Sequence, residues 1–129
     1  MTAAIPDDIR AMLSEPIFFH AATVNPDGSP QVSVVWAGLD GDLLEFSTAE
    51  GRAKQRNLRN NPRIAVSFTP PDNPYRNIVL NGRAVAIEQR GMDLIDRMAR
   101  KYTDADSYQW SQPGEVRVDI AIEIDRITG

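Results

Sequence analysis

The sequence predicts a mainly β, α+β fold: a closed antiparallel barrel of six strands with three flanking helices. Three observations carry that prediction. Short runs rich in β-branched and aromatic residues follow one another, separated by Asn, Asp, Gly and Pro turns. Only three segments carry helical signals, and no strand–helix–strand repetition calls for a doubly wound sheet. The 129 residues are 42% apolar and 25% charged, which is ordinary for one soluble globular domain with one core.

The elements follow in order. Residues 6–14 read as a short helix, with Pro6 in its first turn and Asp7 and Asp8 at the positive end of its dipole. Ile9, Met12 and Leu13 form its apolar stripe, and Pro16 ends it. A first strand over 17–24 turns through Asn25-Pro26 and Asp27-Gly28 into a second over 31–37. In the second, Val32, Val34 and Trp36 alternate with Gln31, Ser33 and Val35. Asp40-Gly41 marks another tight turn before a third strand over 43–48, which completes a meander. A helix is expected over 49–60. Only Ala49, Ala53 and Leu58 offer it packing, so it must lie against the barrel on a small face.

A fourth strand covers 63–69, and the Pro-rich run 70–74 is a loop. The longest strand pattern, 75–88, contains Asn81-Gly82, read as a bulge or bend rather than a hairpin turn. Residues 91–102 form a helix with Met92, Ile95, Met98, Ala99 and Tyr102 on one face. A polar loop over 103–114 carries Tyr108 and Trp110. In the last strand, 116–127, Val116, Val118, Ile120, Ile122 and Ile124 alternate with Arg117, Asp119, Ala121, Glu123 and Asp125.

Composition excludes several chemistries. With no cysteine there are no disulfides, no thiolate nucleophile and no Cys-held metal; one histidine, His20, excludes a multi-histidine site. No apolar run approaches the ~20 residues of a membrane span, and the N-terminus lacks a secretory pattern. A cytoplasmic protein fits these features. The formal charge of −4 argues against general nucleic-acid binding. The carboxylate pairs Asp7/Asp8, Asp104/Asp106 and Glu123/Asp125 have no histidine beside them and read as solvated surface, so no metal site is expected.

One stretch departs from this acidic background. Arg52, Lys54, Arg56, Arg59 and Arg63 place five cations in twelve residues with no acid among them; without them the chain carries −9. The stretch begins where a strand gives way to a helix, and a helix N-terminus adds N–H donors and a positive dipole end. An anionic partner, a phosphate above all, fits there. Arg52 and Arg56 share a helix face whereas Lys54 does not, so Arg52 or Lys54 must come from the turn before regular helix begins. A solvated basic helix is the plain alternative.

The run GRAKQRNLRNNPR after a strand ending in Ser-Thr, together with the GSPQVS hairpin, resembles the split β-barrel flavin and deazaflavin oxidoreductases of the pyridoxamine 5′-phosphate oxidase-like superfamily. It is most similar to the small coenzyme F420-dependent reductases of actinobacteria, over nearly the whole chain. The resemblance implies an FMN-binding split-barrel fold, a homodimer with cofactor at the subunit interface, and an F420H2-dependent reductase passing a hydride to an enone, quinone or similar acceptor. It implies that Arg52, Lys54 and Arg56 hold the cofactor phosphate, with Ala53 in the same run and Asn57 adding a hydrogen bond. Ser47, Thr48 and Ala49 would run beside the ring or ribityl chain. Gln31 and Ser33 would face the same groove, and Tyr75 and Arg76 would reach a cofactor from the partner subunit. Arg59, Arg63 and Arg76 are further candidates for the glutamate tail that F420 has and FMN lacks; Arg59 and Arg63 read equally as solvated.

Alternatives stay open at this level. FMN is the second cofactor choice, and a non-enzymatic flavin, F420 or haem binder is the second function class. Pyridoxamine 5′-phosphate oxidation is disfavoured, because those enzymes usually continue past the last strand. No residue pair reads as nucleophile and base, so no catalytic residue is assigned. Trp36 reads as a core or interface residue before a ring-stacking one, and His20 as a buried or interface histidine. Tyr108 and Trp110 either line a substrate mouth or pack on the barrel.

Overall fold

The computed structural model describes residues 2–129. Six antiparallel strands close into a barrel in the order β1-β2-β3-β6-β5-β4. The strands are β1 (Phe18–Val24), β2 (Pro30–Asp40), β3 (Leu43–Ala49), β4 (Arg63–Phe68), β5 (Ile78–Glu88) and β6 (Arg117–Thr128). The helices are α1 (Asp7–Leu13), α2 (Ala53–Asn60) and α3 (Asp93–Tyr102). The predicted fold class stands: a mixed, mainly β architecture of six strands and three helices.

Alternation fills the barrel. Phe19 and Ala21 of β1, Val35 and Ala37 of β2, and Leu44 and Phe46 of β3 turn inward. Val118, Ile120, Ile122 and Ile124 of β6 meet them with Ile64, Val66, Phe68, Ile78 and Leu80. Ile9 and Leu13 of α1, and Leu58 of α2, join the same core. The bend at Asn81-Gly82 is a register shift within one long strand. Glycine is required there, because a Cβ on Gly82 would lie 2.2 Å from the Glu123 carbonyl oxygen.

Three boundaries move. The second helix begins at Ala53, not at residue 49; Ala49 still pairs with Arg117, and Gly51 at φ +89° breaks the chain before the helix. The fifth strand begins at Ile78 rather than 75, because residues 70–77 turn through Asn73 N–H to Pro70 O and Arg76 N–H to Asn73 O. The second strand runs on past Ala37 to Asp40, paired with β3.

The docking of α2 also differs from expectation. Lys54, Gln55, Asn57 and Leu58 are its buried residues, so three of the four that pack are polar. The Asn57 amide donates to Thr23 Oγ1 at 3.0 Å and to Asn25 Oδ1 at 2.9 Å. Gln55 accepts from the Gly51 N–H at 2.9 Å. Hydrogen bonds seat this helix where apolar residues are too few.

Candidate functional site: a cationic pocket beside an aromatic wall

The end of β3, the turn after it and the start of β6 meet at one concave site. Its walls are Ser47, Thr48 and Ala49 of β3, Arg52 and Lys54 around the start of α2, and Arg117 of β6. Trp36, Ile95 and Tyr108 form the apolar side. The cavity measures about 160 Å³. Arg52 occupies the N-cap position in extended geometry, so it and Lys54 reach the pocket from the turn and the second helical position. Arg52 thus comes from the turn before regular helix, while Arg56, expected to join it and Lys54, does not line the pocket.

The electrostatics are one-sided. Lys54 is only 9% exposed. Its pKa is lowered first by burial and then by Arg52 and Arg117 beside it. Among the described residues no acid pairs with Arg52 or Lys54. Arg117 has one acid, Glu115 at 3.2 Å. Three cations thus converge with one carboxylate between them, and an anion in the pocket would relieve the repulsion. The donor set suits a phosphate: two guanidinium groups and an ammonium.

Hydroxyl orientation adds detail. Arg117 Nε donates to Ser47 Oγ at 3.1 Å, which leaves the Ser47 proton free to donate. Asp119 lies opposite Ser47 in the ladder and keeps Oδ1 buried without a partner. Burial, then Glu45, pushes its pKa up, so this carboxyl beside the site holds a proton more readily than an ordinary aspartate.

The apolar side is an aromatic cluster. Trp36 stacks on Tyr102 with centroids 5.3 Å apart and meets Tyr108 and Trp110 edge-on. The loop carrying Tyr108 is tied to α3 by Tyr108 N–H to Asp96 Oδ1 at 2.8 Å. Tyr108 therefore lines the pocket while Trp110 packs on Tyr108.

The other residues singled out in the sequence lie elsewhere. Gln31 and Ser33 share the inward side of β2 with Val35. Gln31 accepts from Thr23 Oγ1 at 2.9 Å, and Ser33 Oγ is buried without a partner. Asn57 spends its amide on Thr23 and Asn25. Ala53 is half-buried at the helix start, and Arg56 is exposed outside the pocket. Tyr75 is 95% exposed in the 70–77 turn, and Arg76 pairs with Asp8. Arg59 and Arg63 hold Glu50 and Asp125. His20 is exposed on β1 rather than buried. No metal-holding cluster occurs among the described residues, and no helix there is long and apolar enough to cross a membrane.

Arg117 is the residue the sequence did not single out. Strand alternation marks it as one more outward polar residue, and only the β3–β6 register, which pairs it with Ala49, lets its side chain reach Ser47.

A family model described as pyridoxamine 5′-phosphate oxidase matches residues 5–128. The chain belongs to this family. Fold and family are those of the flavin- or deazaflavin-binding oxidoreductase superfamily, and a flavin-like cofactor is the class of ligand that goes with them. A solved structure described as an F420 reductase is 32% identical, with a TM-score of 0.80, over 96% of this chain and 98% of that one. A conserved hypothetical protein from Mycobacterium tuberculosis is 20% identical with a TM-score of 0.77, over 98% and 84%. HupZ of Group A Streptococcus is 16% identical with a TM-score of 0.69, over 96% and 92%. The last two share the fold alone.

Proposed function

We propose that this protein is an F420H2-dependent reductase built as one split-barrel cofactor-binding domain. One observation carries the reading: Lys54 is buried in one pocket with Arg52 and Arg117, has no acid partner among the described residues, and faces a pocket that also has an aromatic side. Such a site is stabilised by a phosphate and offers a ring-sized apolar surface next to it. The likeness to an F420 reductase over nearly the full length of both chains supports the deazaflavin over FMN.

The residues have separate tasks. Arg52, Lys54 and Arg117 hold the phosphate. Ser47, as a hydroxyl donor, and Thr48 and Ala49 border the chain leading to the ring. Bound there, the reduced deazaflavin supplies a hydride to an electron-poor acceptor such as an enone or quinone. Trp36 and Tyr108 exclude water from one side. Arg59, Arg63 and Arg76 each hold an acid, so the tail carboxylates fall to Arg56, which is exposed and without an acid partner among the described residues.

A pocket of about 160 Å³ is smaller than sites that enclose a whole cofactor. The remainder of the cofactor would lie over the outer face of β2, where Val32 is 59% and Val34 52% exposed. A second copy of the chain covers that face in this reading, with Tyr75 and Arg76 as candidates for its contribution.

Anaerobic oxidation of F420H2 with a panel of enones and quinones tests the activity. Turnover with at least one acceptor is expected. Tight cofactor binding with no turnover on any would make the protein a carrier or sensor instead.

A further inference from the structure

A guanidinium has five N–H donors. In Arg117, Nε goes to Ser47 Oγ at 3.1 Å and Nη1 reaches Glu115 at 3.2 Å. The side chains of Arg117 and Glu115 are each only 6% exposed, so this is an interior pair. The remaining donors belong to a group that lines the pocket. The Cζ of the same guanidinium lies over the Tyr108 ring, 5.1 Å from its centroid. Tyr108 in turn meets Trp36 at 6.4 Å and Trp110 at 5.5 Å, both edge-on. One side chain therefore touches the anion pocket, the carboxylate at the end of the 103–116 segment, and the aromatic cluster carried by that segment.

We infer that Arg117 is a positioning residue coupling anion occupancy of the Arg52–Lys54 pocket to the placement of the 103–116 segment. The inference deepens the phosphate assignment above and rests on it. An anion entering the pocket recruits the unspent donors of Arg117. It also competes with Glu115 and with the Tyr108 ring for the same charge. The guanidinium shifts toward the anion, and Tyr108 and Trp110 move with it. Occupancy of the phosphate site is thereby communicated to the aromatic side, where an acceptor would approach. The linkage is reciprocal: holding the segment in its anion-bound placement tightens the anion site, and holding it against Arg117 weakens it.

Trp36 and Trp110 are the two tryptophans of the chain, and both touch Tyr108. Tryptophan emission therefore reads the coupling without a cofactor present. The experiment titrates the apo protein with inorganic phosphate at constant ionic strength, following emission and, separately, binding heat. Wild type is expected to show a saturable emission change that tracks binding. Lys54→Ala should move the half-point at least 10-fold while keeping the final amplitude. Arg117→Lys keeps a cation but loses the fork and the flat face. It should retain phosphate binding within several-fold and lose most of the amplitude. Tyr108→Leu leaves Arg117 in place and frees it from the competing ring, so it should bind phosphate at least as tightly as wild type with the amplitude lost; it guards against misfolding of the Arg117 variant. Full amplitude in Arg117→Lys or Tyr108→Leu overturns the coupling. So does a silent wild-type titration, even if F420 binds, and in that case the cofactor assignment survives. Failure of F420 to bind, with the phosphate response intact, sinks the cofactor assignment alone.

Discussion

The Asn57 amide donates to the Thr23 hydroxyl at 3.0 Å, and this buried bond joins α2 to β1. Thr23 passes the chain of bonds on to Gln31 of β2. A helix poor in apolar side chains depends on such bonds. Asn57→Ala should lower stability by about 1–3 kcal/mol, the scale for losing one partner of a buried hydrogen bond. Urea denaturation measures it. Cofactor affinity well below the melting temperature should change little. Unchanged stability with lost affinity would instead make Asn57 a direct ligand.

Lys54 should trade stability for binding. Lys54→Ala is expected to weaken cofactor binding by about 1.5–3 kcal/mol, the usual scale for a charge-assisted bond. In the absence of any anion, Lys54→Met should melt at a higher temperature than wild type, because it removes an ammonium buried against Arg52 and Arg117. Differential scanning calorimetry in phosphate-free buffer checks the second effect. Adding phosphate should shrink or reverse the difference.

Lys101 and Tyr102 should shape the alkaline stability profile in opposite directions. Lys101 Nζ donates to the Leu13 and Ala37 carbonyls, and burial lowers its pKa from 10.5 to about 8. Between those values the unfolded chain binds more protons, so stability rises with pH. The Tyr102 hydroxyl donates to the Ile17 carbonyl at 2.6 Å; burial raises its pKa from 10.0 to about 12, against a smaller opposing effect of its Ala37 bond. There the folded chain holds the extra proton, so stability falls as pH climbs through that window. Denaturation from pH 7 to 11.5 should show a local maximum near pH 10. Lys101→Met should remove the rising limb and Tyr102→Phe the falling one.

Gly82 should not tolerate a side chain. A Cβ would sit 2.2 Å from the backbone oxygen of Glu123. Gly82→Ala must push β5 away from β6 at the bulge, at a cost of about 1–3 kcal/mol. A wild-type denaturation midpoint for this variant would mean that the two strands are not packed as described.

Much of the fold was legible because each strand announces itself through alternation and each turn through Gly, Asn or Pro. Strand 6 is the clearest case: Val118 to Ile124 face inward as their spacing requires. The start of α2 was less legible. Ala49 suits a strand end and a helix start equally, and the break depends on the Gly51 conformation. The phosphate candidates Arg52 and Lys54 stood out as charge on an acidic chain, and the structure brings both to one pocket. Arg56 belongs to the same charged run yet does not line that pocket, because it is the exposed position of α2 between the buried Gln55 and Asn57. Arg117 was hidden because its role depends on a neighbour 70 residues distant, Ser47.

The central claim is that the Arg52–Lys54–Arg117 pocket holds the phosphate of a deazaflavin. Parallel titrations with F420 and FMN, read by cofactor fluorescence, test it most directly. The account predicts saturable micromolar binding of F420, weakened in Lys54→Ala, with FMN bound far more weakly. Tight FMN binding without F420 binding, or F420 affinity indifferent to Lys54, would contradict it.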